Sequence, residues 1–136
     1  MSDRTYDQFT HRASWNIAGV AITGTNAAES QVAATKVVAP FPCKVVAARR
    51  IHTTASTAAV ANWNLILQKS VAGTGSYTAF GTFSVGGTEA SGVTGTAAVT
   101  ETNFAAGDVM AIALQGITAA RNDVANFNIA YQELPN

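Results

Sequence analysis

Charge is scarce in this sequence. Asp, Glu, Lys and Arg make up 12% of its 136 residues, about half of the usual ~25%. The polar surface must therefore come from Thr, Asn, Ser and Gln, which solvate without making copies of the chain repel one another. This predicts a surface largely covered by other subunits, the alternative being a weakly charged monomeric β-domain. The formal net charge is zero, which argues against nucleic-acid binding by bulk electrostatics. The charges are uneven, however: residues 1–50 carry six Lys/Arg and three Asp/Glu, and residues 51–136 carry two and five.

Cysteine is nearly absent. Cys43 stands alone, so no intrachain disulfide can form, and its neighbours Val45 and Val46 suit a small core residue better than a nucleophile. The two histidines, His11 and His52, have no Cys or acidic residue at metal-ligand spacing, which argues against a zinc site. His52 reads as a hydrogen-bonded surface histidine at the end of a strand. No apolar run approaches the ~20 residues that span a bilayer. The start of the chain lacks the apolar block of a signal peptide and Asn-x-Ser/Thr sequons are missing, so synthesis in a cytoplasm without general secretory export is expected. Gly73-Thr74-Gly75-Ser76 has no following lysine and reads as a turn, not a phosphate loop. No Gly-x-Ser-x-Gly elbow occurs.

What the sequence does have is strand periodicity. Residues 109–114, Val-Met-Ala-Ile-Ala-Leu, form a short unbroken apolar run after the Gly107-Asp108 corner, suited to a strand buried in a sandwich core. Phe127, Ile129 and Tyr131 alternate with Asn126, Asn128 and Gln132, the period of a half-buried strand. These two are expected to be partners, joined by a connection over 116–123. Further strands are predicted over 14–23, 31–39, 43–53, 62–69, 77–85 and 93–101, with turns at 23–26 and 86–89 and a soft loop over 55–61. For 27–39 a helix competes, since Asn26 can cap it with Glu29 three positions on. The β-branched Thr35, Val37 and Val38 and the stop at Pro40 favour a strand. Eight of the eleven glycines fall between Ser70 and Gly107, where they suit hairpins and bulges.

About eight strands at this spacing predict an all-β, antiparallel β-sandwich, an eight-stranded jelly roll, with an immunoglobulin-like sandwich as the alternative. Residues 14–136 are expected to form that single domain, and residues 1–13 an N-terminal arm that is either flexible or bound to a neighbour.

Candidates for chemistry are few. Asp108 reads as a carboxylate accepting backbone N–H bonds at the turn, with a catalytic role as the alternative. Trp63 shares parity with Leu65 and Leu67 and so reads as core, the alternative being an outward sugar platform. No catalytic, metal or cofactor residues are assigned. Arg49-Arg50 is the densest positive spot, and adjacent strand residues point to opposite faces, so one of them must leave the core or pair with an acid. The interface candidates are Tyr6, Phe9, Arg12 and Trp15 in the arm and first strand, with Arg49 and Arg50.

The stretches Pro40-Phe41-Pro42-Cys43-Lys44-Val45-Val46-Ala47-Ala48, Asn62-Trp63-Asn64-Leu65-Ile66-Leu67 and Phe104-Ala105-Ala106-Gly107-Asp108-Val109-Met110-Ala111-Ile112, with the Gly/Thr-rich middle, resemble small jelly-roll virion proteins of tailed bacteriophages. The nearest group is the capsid decoration, or cement, proteins. The resemblance runs over about residues 37–134 and is one of style, without a diagnostic motif; the first ~40 residues depart from it. It implies a homotrimer on the capsid exterior that clamps neighbouring major capsid subunits, made in a bacterial host cytoplasm, with no cofactor, nucleic acid or membrane as partner. The Gly-Asp-strand pattern also occurs in other trimeric jelly rolls, including tumour-necrosis-factor-like and fibre-head domains. The alternative function is therefore a receptor- or carbohydrate-binding fibre or tail module.

Overall fold

Strands that are apolar at every second position bury one face each, and two sheets stacked face to face satisfy them. In the computed structural model the described residues, 12–26, 30–54, 63–72, 74–85, 90–115 and 117–135, form two antiparallel sheets and no helix. Side chains are described for these except at 23–26, 30–34, 63 and 117–123. Residues 1–11 of the arm expected over 1–13, the loop over 55–61, the turn over 86–89 and the Trp63 side chain lie outside the described set. The strands are β1 (Arg12–Asn26), β2 (Ser30–Val38), β3 (Cys43–Thr54), β4 (Trp63–Ser70), β5 (Tyr77–Val85), β6 (Thr94–Thr96), β7 (Ala98–Val99), β8 (Thr102–Phe104), β9 (Val109–Gln115) and β10 (Ile117–Glu133). The first sheet runs β1-β10-β3-β6, with β8 also on β3, and the second β2-β9-β4-β5-β7. The chain is an all-β sandwich.

Between the sheets lie Ile17, Val20, Ile22, Val45, Phe127 and Ile129 from the first and Leu65, Leu67, Phe83, Met110, Ile112 and Leu114 from the second. Phe83 meets Phe127 across the gap at 5.8 Å between ring centres. Phe104 closes one end, taking Trp15 and Phe80 edge-on at 6.0 and 5.7 Å. Strand β9 is buried on both faces, since Ala111 and Ala113 are as inaccessible as Met110 and Ile112. That is why its sequence shows no alternation.

The structure corrects several expectations. β9 and β10 do not pair: β9 lies between β2 and β4, and β10 between β1 and β3. Each faces the other sheet, because the apolar faces must meet across the core. Residues 117–123, expected as a connection, already belong to β10. Residues 23–26, expected as a turn, continue β1, with Gly24 opposite Arg121 and Asn26 opposite Ile117. β1 also begins two residues early, with Arg12 opposite Gln132. The strand expected over 93–101 is divided because the chain changes sheets there. β6 pairs with β3, β7 with β5, and β8 with β3 again. At the crossings Ala97 N–H donates to Ala48 O (3.0 Å) and Thr100 N–H to Phe80 O (2.9 Å). Residues 94–104 thereby stitch one edge of the sandwich shut.

Candidate functional site: a polar groove on the first sheet

Two register shifts decide which side chains the first sheet shows to solvent. In β1 the inward set is Trp15 and Ile17, then Val20 and Ile22, because the ladder slips between Ile17 and Val20. Gly19 absorbs that bulge at φ +66°, a left-handed conformation costly for any residue with a Cβ. In β3 a second shift lies opposite Ala130 and Tyr131. Cys43 and Val45 point inward before it, and Ala48, Arg50 and His52 after it. Simple alternation from Val45 would have buried Ile51 and exposed His52. The bulge reverses them, leaving Ile51 39% exposed and His52 fully buried.

The outer face therefore carries two rows of directly opposed side chains. One runs Asn16, Asn128, Arg49, Thr96 across β1, β10, β3 and β6, and the next runs Asn126, Ile51, Thr94. Four strands at ~4.8 Å spacing make the first row about 14 Å long. The rows line a groove of about 550 Å³. Its amides are held in place: Gly19 N–H, turned outward by the bulge, donates to Asn126 Oδ1 (2.7 Å). Asn128 Nδ2 donates to Ser14 Oγ (2.9 Å) and Asn16 Oδ1 (2.6 Å). Among the described residues no acid lines it.

Beneath the floor runs the inner row Ile17, Phe127, Arg50, Gly95. The Arg50 guanidinium lies over Gly95, where an added Cβ would sit 2.8 Å from its Nε, Cζ and Nη2. Its Nη1 is 2.9 Å from His52 Nδ1. Arginine only donates, so His52 Nδ1 accepts and the ring carries its proton on Nε2. The surface position expected for His52 is thus wrong, although its hydrogen bonding is as expected.

The other titratable groups serve the fold. Asp108 accepts N–H bonds from Ala72 at Oδ1 (3.1 Å) and Ala105 at Oδ2 (2.9 Å), with Lys69 Nζ 3.4 Å from Oδ2. Burial pushes its carboxyl upward, but those two N–H bonds and Lys69 outweigh burial and hold it below its ordinary value. Its backbone carbonyl also accepts from Ala39 N–H (2.8 Å). Cys43 is fully buried. Desolvation pushes its thiol up, aided by the Asp108 and Glu133 charges, which disfavours the reactive thiolate. Among the described residues no three His, Cys, Asp or Glu side chains converge as metal ligands.

Of the interface candidates, Tyr6 and Phe9 lie outside the described residues. Arg12 is exposed at the start of β1. Trp15 is half-buried, stacked 5.0 Å from Tyr131 and edge-on to Phe104, so it anchors its own domain. Arg49 is exposed in the groove and Arg50 is withdrawn beneath it, as opposite faces require. The outward parity of Asn126 and Asn128 was readable in the sequence. Their alignment with Asn16, Arg49 and Thr96 was not, because it depends on the register of four strands. Comparisons with protein-family models, with curated proteins and with solved structures found no match.

Proposed function

We propose that this chain is a structural virion protein, a trimeric capsid decoration protein that clamps neighbouring major capsid subunits and acts by burying surface, without turnover. The observation that carries the reading is that Cys43, His52 and Asp108, the described residues best suited to chemistry, are all buried and committed to the fold. The described rows on the outer face of the first sheet carry amides and hydroxyls with Arg49 and Ile51, a surface suited to contact. Arg12 and Arg49 are the described residues we place at such contacts, with Tyr6 and Phe9 of the arm.

The jelly-roll form of the sandwich belongs to this proposal. If β6, β7 and β8 count as one interrupted strand, eight strands interleave in the orders 1-8-3-6 and 2-7-4-5, a double Greek-key arrangement. The resemblance of residues 37–134 to decoration proteins supports the same reading. A specific contact buries about 800 Å² per partner, and many copies on one shell add avidity. The test is the native mass of the purified chain, together with co-sedimentation with assembled shells and with free coat subunits. A trimer that pellets with shells alone is expected; a monomer at micromolar concentration that ignores shells overturns the proposal.

The groove favours a second reading, a receptor- or carbohydrate-binding module. Oriented amides and hydroxyls in a volume of about 550 Å³ match the size and polar fixing points of small-ligand sites.

A further inference from the structure

We infer that the groove on the outer face of the first sheet binds a carboxylate-bearing saccharide, with Arg49 as the carboxylate anchor and Asn126, Asn128, Thr94 and Thr96 as hydroxyl contacts. The inference deepens the second reading above and rests on it; it does not depend on the chain being a decoration protein.

Charge complementarity selects the anion. Arg49 is exposed at the middle of the longer row, opposite Asn128 on one side and Thr96 on the other, and the described lining residues include no acid. The described ion pairs, Lys44 with Glu101 (3.0 Å) and Lys69 with Asp108 (3.4 Å), both lie elsewhere. A guanidinium presents a planar fork of donors that a carboxylate meets with two parallel bonds.

The rest of the lining selects a polyhydroxylated body. Asn126 Oδ1 is occupied by the Gly19 N–H, which leaves its Nδ2 as a donor. Asn128 Nδ2 is occupied by Ser14 and Asn16, which leaves its Oδ1 as an acceptor. A donor and an acceptor two residues apart on one strand face, about 7 Å along the strand, suit separate hydroxyls of one saccharide, each of which both donates and accepts. The Thr94 and Thr96 hydroxyls extend the pattern along the opposite wall, and Ile51, in the shorter row between Asn126 and Thr94, offers an apolar contact for the C–H face of a ring. The bulge at Gly19 sits where the site needs it, since bulges beside binding sites re-aim side chains.

An acidic peptide is the competing anion. Peptides commonly gain affinity by adding a strand to an open edge. This groove crosses the face of the sheet, where β10 and β3 are paired on both sides and β1 and β6 on their inner sides, so a peptide lying in it would meet side chains and not a strand ladder.

The test titrates the full chain calorimetrically with sialyllactose and a trigalacturonate, with lactose and maltotriose as neutral controls and hexaglutamate as an acidic peptide. Saturable binding of the two acidic saccharides is expected. Arg49→Gln should weaken it about tenfold or more, the value of one charge-assisted contact, with partial recovery in Arg49→Lys. Asn126→Asp keeps the acceptor for Gly19 N–H and adds a negative charge, so it should weaken acidic ligands about as much without lowering the melting temperature. Equal binding of neutral and acidic saccharides overturns the charge assignment while the saccharide reading stands. No binding of any saccharide at millimolar concentration overturns both. Binding of hexaglutamate alone, or saccharide binding indifferent to both variants, overturns the site.

Discussion

Replacing Asp108 by Asn changes one atom and separates a structural carboxylate from a catalytic one. The wild-type carboxylate takes N–H bonds from Ala72 and Ala105 at 3.1 and 2.9 Å and lies 3.4 Å from Lys69. Asparagine keeps one acceptor, best placed at the Oδ2 position that serves both Ala105 N–H and Lys69, and its Nδ2 then faces the Ala72 N–H. The lost charge-assisted bond is worth about 1.5–3 kcal/mol. Ala72 and Ala105 are exposed, so the orphaned N–H can recruit water, which favours the lower end. The Lys69 pair adds about 1 kcal/mol or less, since that side chain is 25% exposed and keeps its 2.6 Å bond to Asn103 O. The sum is about 1.5–2.5 kcal/mol, or roughly 5–9 °C in melting temperature for a domain of this length. The carboxyl is held below its unfolded value of 3.8, so its contribution is fully present above that value and is lost as pH falls through the folded one. Melting curves from circular dichroism should therefore show a wild-type advantage that is constant above about pH 5 and shrinks in more acid solution. A drop below about 1 kcal/mol at pH 7, or an advantage that grows in acid, refutes the reasoning.

Gly95→Val should destabilise the fold by about 2–4 kcal/mol in denaturant melts, because its Cβ would meet the buried Arg50 guanidinium at 2.8 Å. Combining it with Arg50→Ala should cost clearly less than the sum of the two single changes. Gly19→Ala should cost only about 1–2 kcal/mol, since nothing lies within 4 Å of the new methyl and the left-handed backbone is the whole penalty. Cys43, fully buried and with its thiol raised, should resist a disulfide reagent in the native state and react at once in denaturant.

The strands were legible wherever one face is wet and the other dry, as in Phe127, Ile129 and Tyr131 against Asn126 and Asn128. They were also legible where an apolar run is short and punctuated, as in 109–114. Sheet membership was not, because β9 and β10 are equally apolar and nothing local states whether apolar strands adjoin or face each other. The bulges account for most of the remaining errors. In β1 the signal was present: Trp15 and Ile17 occupy one parity and Val20 and Ile22 the other, with Gly19 between. In β3 no glycine marks the slip, and Val46 and Ala47 fit either face, so His52 was read as exposed. The groove inherits this difficulty. Its residues come from four strands, and only their register makes Asn16, Asn128, Arg49 and Thr96 neighbours.

The two lateral edges of the sandwich are treated differently, and the difference bears on assembly. On one side, residues 94–104 cross between the sheets and bond to both. On the other, β1 and β2 end their sheets among the described residues. Soluble proteins guard such edges with charge, proline, bulges or brevity. β1 is 15 residues long with Arg12 as its single charge, and β2 has only Lys36 among nine residues. The bulge at Gly19 interrupts β1, yet the ladder groups on either side of it remain available over several residues. A protein with 12% charged residues has little electrostatic repulsion to keep copies apart at such an edge. The physical expectation is that another chain covers it, and a symmetric oligomer is the commonest way for a soluble protein to do so. On this argument the β1–β2 edge, with Arg12 at its start, would add to the contacts of the proposed decoration protein, whereas the second reading would leave the outer face of the first sheet, with Arg49 at its centre, open to a ligand.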